Sequence, residues 1–231
     1  MKIGVMDSGI GGLNVLAALI GYRCGDRYLY LSDGKNLPYG NKDGRVLKEV
    51  ALEGAKRLIE RGANAIVFGC NTLSVSALDY VKKRVVPPVF GLAPRPDLLC
   101  GNALLLTTPT TALYLPKISS NVCVLTPASL ASLIDEEYPK TERTEAYLAP
   151  LLRPYDDCTE VYLGCSHYCF AKDVIKKILP HAKTLDGVEP LAALAHAVLP
   201  ETGCKNPSIE FMFTGEDQTE RYLTILSSLL K

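Results

Sequence analysis

Apolar runs of strand length alternate with amphipathic runs of helix length, and this alternation confines the chain to an α/β fold. "KIGVMD" leads through the turn "SGIGG" into "LNVLAALIG", and "RYLYLS" runs into the loop "DGKNLPYGN". "GRVLKEVALEGAKRLIERG" repeats apolar residues at helical spacing and stops at Gly62, where a glycine is suited to ending a helix. "NAIVFG" reads as a buried strand with the helix "TLSVSALDYVKKRV" behind it. Strands that alternate with helices predict mainly parallel sheets flanked by helices. Proline density rises in "VVPPVFGLAPRP" at 85–96, and the pattern then restarts with "NALLLT", "NVCVLT", "PASLASLIDEEY", "EVYLGC" and "FAKDVIKKIL". The break predicts a crossing between two lobes.

Composition removes several function classes. The 231 residues are 48% hydrophobic and 22% charged with zero formal net charge, an ordinary globular balance. A dedicated nucleic-acid binder would carry a surplus of Lys and Arg, and the one basic cluster, "VKKR" at 81–84, reads as the solvated face of a helix. No apolar run is long enough to span a membrane. The N-terminus lacks a basic region followed by a long apolar one, so a cytoplasmic location is expected. In that setting the eight cysteines are expected as thiols rather than disulfides. They form no CxxC pair and the chain has three His, so no metal is expected.

Two of the cysteines stand apart. "IVFGCNTLSV" and "VYLGCSHYCF" each end an apolar run in Gly-Cys followed by small polar residues. Cys70 and Cys165 are thus 95 residues apart (165 less 70), and the turns "DSGIGGL" and "TTPTTAL" show about the same offset. A duplicated lobe would face the two corners across a cleft. Each cysteine should sit at or near a helix N-terminus, where the helix dipole favours thiolate. Two acid/base groups on opposite faces of one ligand can remove a proton from a carbon and return one from the other side. Cys169 is expected inside the following helix in a structural role. "GIGGLN" fails the dinucleotide pattern because Asn14 replaces its last glycine, and no glycine cluster is followed by GK[ST], so a nucleotide is not expected.

"IGVMDSGIGGLNVL", "SDGKNLPYG", "FGCNTLSVSAL" and "YLGCSHY" resemble, in order, the signature segments of the glutamate racemase family, and "FMFTGEDQTERYLTIL" resembles its closing strand and helix. The resemblance implies two pseudo-symmetric α/β lobes with the active site in the cleft between them. Residues 1–92 would form the first lobe, completed by 187–231 returning to it, and 93–186 the second. It implies racemisation of L-glutamate to D-glutamate for peptidoglycan synthesis, without a cofactor, by a thiolate/thiol pair. Cys70 and Cys165 would be the catalytic acid/base pair, assisted by Asp7 and His167. Ser8, Tyr39, Gly40, Asn71, Thr72 and Ser166 would bind the substrate glutamate. Thr111 and Asp33 fall on further positions near the site, as does Asp135 with Glu136 as the alternative. A homodimer is also implied.

The chain departs from the family in places. The turn written Gly-Thr-x-Gly-Thr in the family is "TTPTT" here, with Thr107 and Thr110 in place of glycines; Cys-Thr-His is Cys-Ser-His; and segments near 96 and before 160 are shortened. The alternatives left open are a racemase of the same superfamily acting on aspartate or another small amino acid or diacid, and an inactive glutamate-binding relative.

Overall fold

A computed structural model of the chain describes residues 1–200, 204 and 206–231. Its strands form two sheets, and every strand pair is parallel. The first sheet contains β1 (Lys2–Asp7), β2 (Arg27–Ser32), β3 (Ala65–Phe68), β4 (Val89–Gly91) and β9 (Ser208–Phe213) in the order β4-β3-β1-β2-β9. The second contains β5 (Ala103–Thr107), β6 (Val122–Leu125), β7 (Glu160–Gly164) and β8 (Lys183–Leu185) in the order β6-β5-β7-β8. Read from the other edge, the second sheet repeats the β4-β3-β1-β2 order of the first, with β5 in the place of β1 and β7 in the place of β3. The final strand β9 returns to the first sheet and pairs with β2 in register from Arg27↔Ser208 to Ser32↔Phe213.

The central strands are apolar along their interiors, as in Ile3–Met6 and Val161–Leu163, because helices cover both faces of each sheet. Helix α1 (Leu13–Gly21) follows β1, and α2 (Gly44–Glu60) packs on the opposite face. Helix α2 starts where the Asp43 carboxylate accepts the Arg45 N–H at 2.7 Å. It turns Leu47, Ala51, Gly54, Ala55 and Leu58 to the core. Gly62 follows its end with φ at +85°, a conformation costly for residues with a Cβ. Gly54 allows close approach to the sheet, since a Cβ there would lie 2.3 Å from Met6 Sδ.

Helix α3 (Asn71–Lys82) follows β3. In the second lobe α4 (Pro109–Ala112), α5 (Leu130–Glu137), α6 (Glu142–Leu152) and α7 (Lys172–Ile178) cover the sheet. The chain then runs back through α8 (Val188–Val198), which packs on α1, and ends in α9 (Thr219–Leu229), which also packs on α1. A single apolar cluster joins Val5, Ile10 and Leu16 of the first lobe to Leu104, Leu163 and Tyr168 of the second, so the lobes share a core behind the cleft. No helix among the described residues is long and apolar enough to cross a membrane.

Candidate active site

The carboxyl ends of β1, β3, β5 and β7 converge between the lobes, where backbone N–H groups and short polar side chains emerge from parallel sheets. Asp7 ends β1, Cys70 lies two residues beyond β3, Thr108 follows β5, and Cys165 follows β7. Both cysteines are 4% exposed. The structure therefore brings the two Gly-Cys corners into one buried space.

The corners differ in build. Cys70 is the N-cap of α3 with extended backbone. Burial pushes its thiol pKa well up, and the charges of Asp7 and Cys165 add to that rise. The N–H groups of Leu73 and Thr72 act the other way by offering hydrogen bonds to the thiolate. Cys165 precedes a 3-10 segment, Ser166–Ala171, and α7 begins only at Lys172. Cys165 therefore sits at a helix N-terminus as expected, and Cys169 lies inside the helix that follows, but that helix is a 3-10 helix rather than an α-helix. Compact turns of this kind lack the aligned peptide dipoles of a long helix. Cys165 instead lies close to the imidazole of His167, and its interaction with that ring helps to raise the His167 pKa.

His167 sits in a network that crosses the cleft. Its Nε2 lies 3.0 Å from Asp135 Oδ1, and that oxygen also accepts the Ile10 N–H of the first lobe at 2.8 Å. Burial opposes charge on His167, but the hydrogen bond to Asp135, the interaction with Cys165 and the nearby carboxylates hold its pKa well above the ordinary imidazole value. Burial likewise opposes ionisation of Asp135, and the hydrogen bond and charge of His167 outweigh it, so its pKa is lowered. The two form a buried ion pair. Arg221 of α9 donates to the backbone carbonyl of Asp135, tying the closing helix to the same corner.

Asp7 is fully buried. Its Oδ2 accepts the Ser166 hydroxyl at 2.9 Å, and its Oδ1 accepts the Gly9 N–H at 3.1 Å. Burial nevertheless raises its pKa, with the Asp135 charge adding to the rise and His167 working against it. Ser8 is also buried and points its hydroxyl toward Asp7 Oδ1 at 3.4 Å. Gly11 permits the close approach of the lobes. A Cβ there would lie 2.4 Å from Ser166 Oγ and 2.6 Å from His167 Nδ1.

On the other side of the thiols, the Thr72 hydroxyl lies 2.9 Å from that of Thr108 and 3.0 Å from that of Thr111. Thr108 donates to Thr111 at 2.8 Å, which closes a triangle of hydroxyls across the lobes. Gly40 packs on this triangle, since a Cβ there would lie 2.8 Å from Thr108 Cβ. Tyr39 is buried beside it, but its hydroxyl donates to Asp33 Oδ2 at 2.7 Å. Asp33 also holds Asn36 and Thr214, so it braces the Tyr39 loop from behind. Asn71 is 1% exposed, and neither its carboxamide oxygen nor its nitrogen has a hydrogen-bond partner.

Among the site residues read from the sequence, Asp7 is bonded to Ser8 and Ser166, His167 to Asp135, Thr72 to Thr111, and Tyr39 to Asp33. Of the two acidic candidates on α5, Asp135 points into the cleft, whereas Glu136 pairs with Arg143 outside it. The threonines that replace family glycines each find a carbonyl: Thr107 donates to Gly164 O at 3.1 Å and Thr110 to Lys42 O at 2.9 Å. Sequence reasoning passed over Thr108, although a threonine directly before Pro109 is a recognisable N-cap signal. It also passed over Tyr30, whose hydroxyl holds Gly9 O at 2.7 Å, and no local pattern distinguishes that tyrosine from any other in a buried strand. Among the described residues no group of three or more His, Cys, Asp or Glu side chains is placed to hold a metal ion.

No protein-family model matches the chain. Individual proteins do. A glutamate racemase of Leptospira borgpetersenii is 34% identical over 202 residues, covering 81% of this chain and 78% of that protein. Glutamate racemase from Francisella tularensis, solved in complex with D-glutamate, superimposes with a TM-score of 0.79 at 27% identity and covers 99% of this chain and 93% of its own. The Campylobacter jejuni enzyme reaches a TM-score of 0.83 at 21% identity over 100% of this chain and 98% of its own, a likeness of fold. With the ordered motifs, the doubled sheet topology and the two-cysteine cleft in agreement with these similarities, the chain belongs to the glutamate racemase family.

Proposed function

We propose that this protein racemises glutamate by a two-thiol mechanism, with Cys70 and Cys165 on opposite faces of the α-carbon. The observation that carries the reading is that two buried thiols, from separate lobes, lie near enough for the charge of Cys165 to act on Cys70. In one direction a thiolate takes the α-proton, breaking the C–H bond and leaving the electron pair on the α-carbon. The opposite thiol then delivers its proton to the other face and becomes the thiolate. The reverse reaction exchanges the roles, and no electrons leave the system. Asp7 and His167 adjust the charge around the thiols.

Asn71 supports a polar ligand in this space, because a buried carboxamide without protein partners is costly unless something else pairs with it. The hydroxyls of Ser8, Thr72 and Ser166, with Tyr39 and Gly40 shaping the wall, suit the carboxylates and ammonium of an amino acid. The D-glutamate formed would supply peptidoglycan synthesis in the cytoplasm. The same reading carries a homodimer, which light scattering on the eluting protein would measure.

The deciding experiment follows α-proton exchange in deuterated water with each glutamate enantiomer, beside the decay of circular dichroism. Wild type should convert both enantiomers to the racemate with deuterium at the α-carbon, and Cys70→Ala or Cys165→Ala should stop the conversion. Racemisation that survives either substitution would refute the two-thiol mechanism.

A further inference from the structure

The lobes meet along two lines, one on either side of the thiols. The inner line lies against the shared core and is held by contacts to carboxylates, Ser166 to Asp7 and Ile10 to Asp135. The outer line is a seam between residues 39–44 of the first lobe and α4 of the second. There the Thr110 hydroxyl donates to the Lys42 carbonyl at 2.9 Å, and the exposed Asn41 carboxamide reaches Ala128 O at 3.5 Å. Tyr114, just past α4, lays its hydroxyl against Gly44, where an added Cβ would occupy the space of the Tyr114 oxygen. Thr110 is buried, whereas Tyr114 is 42% exposed.

The seam reaches the candidate substrate-binding residues in short steps. Lys42, whose carbonyl Thr110 holds, donates its own N–H to Tyr39 O at 3.0 Å and so closes the 3-10 turn Tyr39–Asn41. Gly40 within that turn packs on Thr108, whose hydroxyl joins those of Thr72 and Thr111. Fixing Lys42 therefore fixes the wall that Tyr39 and Gly40 present to the cleft. The hydrogen bonds of this seam join neutral groups, which hold less firmly than bonds to a charged partner. The outer seam is thus the weaker line, and one hydroxyl is a large share of its hold. A glycine at position 110, as in the family pattern, would offer Lys42 no hydroxyl.

We propose that Thr110 and Tyr114 clasp the outer seam over bound glutamate, with Thr110 as a positioning residue that sets the Tyr39–Gly40 wall through the Lys42 carbonyl. The clasp takes glutamate as the ligand of the cleft, the reading proposed for this protein. Weakening the clasp lowers the fraction of molecules in the closed, binding-competent form and raises the apparent Kd in proportion. The thiols stand on other elements, beyond the ends of β3 and β7, so the loss should fall on KM rather than on kcat.

Calorimetric titration with racemic glutamate reads the affinity without net reaction. Thr110→Val removes the hydroxyl and keeps the branched shape. It should bind about three- to tenfold more weakly, the fold-change for one neutral hydrogen bond. Thr110→Ser restores the donor and should bind as wild type does.

Gly44→Ala provides a second variant, in which stability and affinity part company. Gly44 is the first residue of α2 and lacks a positive φ, so alanine suits it and should leave urea stability equal or higher. The new Cβ displaces the Tyr114 hydroxyl, the end of an exposed side chain, and glutamate affinity should fall. A residue that merely supports the fold would lose stability together with affinity. Thr110→Val that binds like wild type, a loss shared by Thr110→Ser, or Gly44→Ala with unchanged affinity would overturn the clasp. Wild type that neither binds nor racemises glutamate would instead refute the function proposed for the cleft.

Discussion

The hydroxyl of Ser166 on the second lobe donates to Asp7 Oδ2 on the first at 2.9 Å, deep in the cleft where both residues are fully buried. The contact couples lobe closure to the charge of Asp7, because Asp7 loses this donor whenever the lobes part. Ser166→Ala should therefore raise the Asp7 pKa further and weaken the closed form by about 1.5–3 kcal/mol, the worth of a hydrogen bond to a charged group. Steady-state kinetics should show the loss mainly in kcat/KM, moving the acidic limb of the pH profile upward. Ser166→Thr keeps the hydroxyl and should retain most of the activity.

Gly11 sets how closely the lobes meet. An added Cβ would fall 2.9 Å from the His167 backbone nitrogen as well as against two side-chain atoms, and the backbone contact cannot be relieved by a rotamer change. Gly11→Ala should hold the lobes apart. A misplacement near 1 Å at reacting groups costs on the order of 100-fold in rate, and the loss should appear in kcat with little change in urea stability. Near-wild-type turnover would show that closure does not depend on this contact.

The parts of this protein that were legible in sequence are those written locally. Buried parallel strands carry unbroken apolar runs, as in "AIVF" and "VYL", and the Gly-Cys corners follow them directly. What joins distant segments was not legible. Ile10 meets Asp135 across 125 residues and Thr214 meets Asp33 across 181, and nothing in either neighbourhood signals its partner. Helix α6 was passed over as shortened chain, since Pro150 interrupts its pattern near the C-terminal end. The corner after Cys165 was legible only in part, because the helix read at "FAKDVIKKIL" begins as α-helix at Lys172 and the six residues before it wind into a 3-10 helix that apolar spacing does not distinguish. That winding keeps His167 beside Cys165 and aimed at Asp135.

Asn71 should trade stability against binding. Its carboxamide is buried without a protein partner, a state that costs about 1–3 kcal/mol. Asn71→Leu fills a similar volume without polar atoms, so urea unfolding of the free protein should show unchanged or increased stability. Glutamate should raise the Tm of wild type by mass action and should raise that of the variant far less. A variant that is destabilised when free, yet still responds fully to glutamate, would contradict a ligand-binding role.

The His167–Asp135 pair should make stability depend on pH in a defined window. The folded pKa of His167 lies well above its ordinary value of 6.5, so its contribution is complete below that value and is lost as pH rises through the elevated one. The folded pKa of Asp135 lies below its ordinary 3.8, so its contribution is present above 3.8 and is lost as pH falls through the depressed value. The pair therefore stabilises most between 3.8 and 6.5. Asp7 acts in the opposite sense: burial raises its folded pKa above 3.8, so its ionisation costs stability as pH rises past that value, and the His167 cation offsets part of that cost. His167→Asn should lower stability by about 3 kcal/mol there, the scale for breaking a buried pair. Urea titrations across the pH range should show the gap to wild type narrowing on both sides, first above 6.5 as the imidazolium loses its advantage. A gap that is constant with pH would mean that His167 is held neutral and contributes only its packing.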